Sequence, residues 1–157
     1  MDDSPKIMRW GLIIAAVIIV VRIVLEQAGA PEAVNNIFGV SWLHFLFPVL
    51  FALSLRAAGH AKPYQSLFGN LLRFTVYVRL MVMATYMLAF LLQWGAPRFS
   101  TARGGNVGGN VSALRGFLFI PVRNASFWIV SAMIIGMALG ALTLLLKRRP
   151  PAHVDAG

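Results

Sequence analysis

Four stretches of this chain are too long and too apolar to be covered by a water-facing surface, and that constrains the fold more than any other feature. They run from about 10 to 28, 40 to 58, 67 to 94 and 125 to 146. A helix crossing a bilayer takes roughly 20 apolar residues. The rest of the composition agrees, with 59% hydrophobic residues, 12% charged residues and a mean hydropathy of +0.75. A soluble domain carries about a quarter charged residues. The expected fold is all-α and integral to a membrane: a four-transmembrane-helix bundle forming one domain over residues 1–157, with a long connection between the third and fourth helices.

The formal net charge of +9 does not describe a nucleic-acid binder. Such a protein clusters Lys and Arg on a polar face, whereas here they fall mainly in short segments between apolar runs. Those positions set orientation, because cations accumulate on the cytoplasmic side. Lys6, Arg9, Arg56, Lys62 and the Lys147–Arg149 cluster share one side. The first connection, around Pro31 to Phe38, has no cation and carries Glu32. The last connection holds Arg98, Arg103, Arg115 and Arg123, which weakens the bias without reversing it. Both termini are therefore expected in the cytoplasm, with the 95–124 connection extracytoplasmic and a bacterial cytoplasmic (inner) membrane as the location. Trp10, Trp42, Trp94 and Trp128 all fall near the expected helix ends, where interfacial indoles belong.

The first run imitates a signal peptide, with Lys6 and Arg9 before it and Ala28-Gly29-Ala30 after it. Its apolar stretch is longer than a usual signal core, Arg22 interrupts it and Pro31 follows, so a retained helix is expected. Residues 95–124 are too many for an ordinary turn. They contain a Gly-Asn tract, Gly104 to Asn110, which reads as a flexible loop because no Lys-Ser/Thr follows to make a phosphate-binding motif. Leu114 to Val122 is apolar and reads as an interfacial or re-entrant segment, or as an extension of the fourth helix. The sequons at Asn110 and Asn124 matter only in a eukaryotic secretory route.

Ionisable groups inside a span each cost at least ~2.5 kcal/mol on insertion scales, so they mark where a site would be. Arg22 and Glu26 are four apart on one face of the first helix. Arg79 lies near the middle of the third, and Thr75, Arg79, Tyr86 and Gln93 form a polar stripe at helical spacing that is expected to face inward. Arg73 is near the cytoplasmic end and can snorkel. The second helix adds Ser41 and His44, whose carbonyl loses its partner to Pro48. Counted by rise per residue, Arg22, Glu26, His44 and Tyr86 lie outward of the centre, with Arg79 close to it. The expected site is a polar pocket of Arg22, Glu26, His44, Arg79 and Tyr86, suited to an anionic or carbonyl-bearing ligand.

The fourth helix offers Ala132, Gly136 and Gly140, a small-residue ladder for packing against a neighbouring helix or a second subunit. The pairs Met83/Met87 and Met133/Met137 read as core filler before they read as Cu(I) ligands. With no cysteine, thiolate metal sites and cysteine nucleophiles are excluded. No residue is assigned as catalytic, and no metal or cofactor is expected. Three functions remain: a non-catalytic accessory, assembly or binding subunit, which is favoured; an oligomeric small transporter using an Arg22/Glu26/Arg79 layer for an anionic or proton-coupled substrate; and a lipid- or quinone-modifying enzyme. The expected partners are the lipid bilayer and, through the fourth helix, a second copy or a larger membrane complex.

Overall fold

A computed structural model describes residues 2–146, so the Lys147–Arg149 cluster lies outside the described residues. Five α-helices build the molecule: α1 (Ser4–Gln27), the short α2 (Glu32–Ile37), α3 (Leu43–Ala57), α4 (Pro63–Leu92) and α5 (Ile120–Leu145). A 3-10 turn over Val40–Trp42 leads into α3, and a π-helical turn over Arg115–Phe119 leads into α5. Four helical stretches are long and apolar enough to cross a membrane: Ser4–Gln27, Glu32–Ala57, Pro63–Leu92 and Arg115–Leu145. Their outward faces stay greasy, as with Val17, Val20 and Val24 on α1 and Ile134, Leu142 and Leu145 on α5. Helices apolar on every side are what a lipid solvent accepts.

The fourth span starts at 115 rather than about 125, because Leu114–Val122 is the extension of the helix and not a separate segment. Pro121 explains the π turn before it. Proline lacks an N–H and its ring crowds the carbonyl four residues back, so the wider turn over Arg115–Phe119 accommodates it without ending the helix. The shift also moves Trp128. It sits well inside the helix instead of at its end.

Helices α3 and α4 form the centre, with α1 and α5 each packed against both of them. The helices meet through closely packed side chains, the kind of contact that holds helices together where the surroundings are apolar. Phe47 and Phe74 stack with ring centroids 4.7 Å apart, and Phe51 meets Phe74 edge-on at 6.1 Å. Leu55, Leu67, Leu71 and Val78 complete this core. The ladder on α5 is taken up inside the chain. A Cβ on Gly136 would come 3.2 Å from Pro48 Cγ, and one on Gly140 would come 2.6 Å from Leu67 Cδ2. The groove left by the glycines thus receives the α3 proline and two α4 leucines. Met133 and Met137 pack on the same core.

The two ends of the bundle are fastened differently. At the end holding the start of α1, Asp2 Oδ1 accepts from Ser54 Oγ at 3.2 Å and Asp2 Oδ2 lies 3.0 Å from His60 Nε2. Hydrogen bonding from Ser4, the largest cause, holds the Asp2 carboxyl down at about 2 against the opposing effect of partial burial. At the other end, Arg103 pairs with Glu32 and Arg98 reaches Glu26. There two 3-10 turns, Pro97–Phe99 and Thr101–Arg103, lead into the Gly-Asn tract, which is held by an isolated bridge between Ser100 and Val107. Asn106, in the middle of the tract, is fully buried.

Candidate functional site

The site lies between the helices at the end of the bundle that holds Arg98, beyond the Phe47–Phe51–Phe74 core. Its heart is a cavity of about 190 Å³. Arg22 reaches it from α1, Arg79 and Tyr86 from α4, Arg98 from the following loop, and Trp128 from α5. A second hollow of about 380 Å³ lies beyond it toward Asn35 and Pro97. The two share Arg22 and Arg98 as walls, and Glu26 belongs to the outer one.

Glu26 is the hinge of the charge arrangement. Arg22 Nε donates to Glu26 Oε1 at 2.8 Å, one helical turn apart. Arg98 Nε approaches Oε2 at 2.9 Å but off the line of its N–H, so this contact is an ion pair without a hydrogen bond. The Glu26 side chain is only 3% exposed. Burial pushes the Arg98 guanidinium pKa down, and the Glu26 carboxylate is the main influence raising it again. The Arg98 plane also lies over Phe99, 4.3 Å from the ring centroid.

Arg79 has no such partner. It is 5% exposed, and its guanidinium carbon sits 5.0 Å from the centroid of the Trp128 ring. Among the described residues it forms no ion pair with a carboxylate, and its Nε is buried without a hydrogen-bond acceptor. Three guanidinium groups therefore face one carboxylate. A charge kept out of water needs a compensating charge or acceptor, and an aromatic face supplies at most about 2 kcal/mol.

Of the residues expected from sequence, Arg22, Arg79 and Tyr86 line the inner cavity and Glu26 lies beside it. His44 lines neither hollow. It is buried, its ring is 6.1 Å from Phe74, and Nδ1–H donates to the Val40 carbonyl at 3.1 Å. The inward polar stripe is shorter than its spacing implies. Thr75 and Arg79 are buried and Tyr86 is half-buried, but α4 ends at Leu92. Gln93 takes a left-handed conformation with φ 49° and points outward, because a 100° step no longer applies once the helix stops.

Three site residues escape a sequence reading. Arg98 is drawn from the connection that otherwise sets topology, and a loop carries no periodicity to say where a side chain turns. The signal was Glu26, a buried acid with one cation, Arg22, within a helical turn of it. Trp128 is placed by the longer fourth span. Asn106 holds the roof: its amide donates to the carbonyls of Tyr86 at 2.6 Å and Gly116 at 2.8 Å. The Gly-Asn tract is thus pinned to α4 and to the π turn rather than left loose. Comparison with family models, curated proteins and solved structures gives no match to this chain.

Proposed function

We propose that this chain is a non-catalytic binding protein of the bacterial cytoplasmic membrane that holds an anionic group in the arginine-walled cavity. In this reading it crosses the bilayer four times with both termini in the cytoplasm, and the cavity opens on the opposite side. Lys6, Arg9, Arg56 and Lys62, at the end of the bundle away from the cavity, support that orientation. The observation that carries the function is Arg79, buried near the middle of α4 with no carboxylate partner among the described residues. An anion arriving there restores charge balance and can accept from two or three guanidinium groups at once, the strongest class of hydrogen bond.

The packing favours a binder over a through-channel. Phe47, Phe51 and Phe74 fill the bundle between the cavity and the far end, so access is one-sided. A carrier function would require that aromatic plug to move.

Thermal unfolding of the detergent-solubilised protein tests the reading. A ligand that binds only the folded state raises stability by RT ln(1 + [L]/Kd). Phosphate, sulfate or a carboxylate is expected to raise the melting temperature in a saturable way, and Arg79→Gln to remove the shift. Equal shifts in both proteins, or none with any anion, would contradict it. Orientation is separately readable, because the chain has no native cysteine. A cysteine at Lys62 should label only from the cytoplasm and one at Ser112 only from outside.

A further inference from the structure

Resting on the anion-binding reading, we infer that the occupant is the headgroup of an amphiphile, a phosphate or carboxylate whose alkyl tail stays in the membrane beside the mouth of the cavity. Size argues first. About 190 Å³ is below the roughly 300–1,000 Å³ of pockets that enclose a whole small molecule. It suits a small anion or the polar tip of something larger.

The lining argues second. Beside the arginines the cavity is walled by the apolar side chains of Ile19, Val82, Met83 and Pro121. A site built for a free hydrated oxyanion gains nothing from such a wall, whereas the first methylenes of a tail do. Third, three residues that line the cavity are exposed on the outside of the bundle: Phe38 (36%), Ser41 and Trp128 (44%). Phe38 and Ser41 precede α3, and Trp128 is on α5. All three belong to stretches long and apolar enough to cross a membrane, so the gap they frame opens sideways toward lipid. The route through the second hollow passes the shared wall of Arg22 and Arg98, both engaged by Glu26. At the Phe38/Ser41/Trp128 gap Arg22 Nη1 lies near Gly39 and Arg79 lies against Trp128, and Arg79 is the guanidinium of the three with no carboxylate partner among the described residues.

Equilibrium titration of the full chain in a neutral detergent tests this with two probes, octyl phosphate and inorganic phosphate. Octyl phosphate is expected to bind at least about tenfold tighter, a difference of ~1.4 kcal/mol. Arg79→Gln is expected to weaken both probes. Ser41→Trp, which places bulk at the sideways gap, is expected to collapse the preference for octyl phosphate toward one, and it carries the test should Arg79→Gln fail to fold. Equal affinity for the two probes overturns the amphiphile and leaves the anion site standing. A preference for octyl phosphate that survives Ser41→Trp also overturns it, because the tail is then held elsewhere. Binding of neither probe overturns the anion site as well.

Discussion

Arg79 and Trp128 face each other across the cavity, the guanidinium carbon 5.0 Å from the indole centroid. The contact offsets part of the cost of a cation so far inside the bundle that has no carboxylate partner among the described residues. A desolvated cation–π contact contributes up to about 2 kcal/mol. Trp128→Leu is therefore expected to cost about 1–2 kcal/mol more than Trp128→Phe in chemical unfolding. Equal losses would mean that Trp128 serves only as bulk.

Glu26 holds two arginines from different elements, so its removal should hurt more than the removal of either partner. Breaking a buried ion pair from one side costs about 3–5 kcal/mol, because the other charge stays buried. Glu26→Gln should destabilise the protein by about that much. Glu26→Gln combined with Arg98→Gln should recover part of the loss, since Glu26 is the carboxylate that Arg98 pairs with among the described residues. A double-mutant cycle measures the recovery, and strict additivity would argue against the bridge.

The roof of the site depends on Asn106. Its two donated hydrogen bonds tie the Gly-Asn tract to α4 and to the π turn. Leaving buried carbonyls without donors costs about 1–3 kcal/mol. Asn106→Leu is expected to destabilise locally, seen as faster amide exchange over residues 99–118 with little change in α3. Gly105→Ala should act similarly, because a Cβ there would run into the Phe99 backbone, which has no room to yield. Unchanged exchange in both variants would show that the loop is held some other way.

The far end has a pH signature. The Asp2 carboxyl is held at about 2, below its ordinary 3.8, chiefly by hydrogen bonding from Ser4, with His60 and Ser54 adding to it. A depressed carboxylate contributes stability that is fully present above the unfolded pKa and is lost as pH falls through the folded one. The window therefore lies between about pH 4 and pH 2. Melting temperature should fall across that window, and Asp2→Asn should flatten this part of the profile while lowering the plateau above it. An unchanged slope in Asp2→Asn would assign the acid transition to other groups.

The helical frame was legible from residue order because an apolar run has a length and a bilayer has a thickness. Arg22, Arg79 and Tyr86 were legible for a related reason: a costly group in a greasy helix has to face inward, and each of them does. What could not be read was whatever depended on contacts between elements. His44 meets the depth criterion but is turned toward Phe74 and the Val40 carbonyl. Arg98 comes from a loop, where no period fixes direction. Gln93 is lost to the stripe because α4 stops one residue before it. The small-residue ladder was legible as a packing face, but only the fold shows that Pro48, Leu67 and Leu71 occupy it.

An anomalous scatterer tests most directly whether the Arg79 cavity is an anion site. Selenate diffused into crystals of the full chain should give an anomalous peak within hydrogen-bond reach of Arg79 and of at least one of Arg22 and Arg98, and the peak should vanish in Arg79→Gln. Peaks confined to surface cations such as Arg115 and Arg123, with the cavity empty at saturating selenate, would contradict the account.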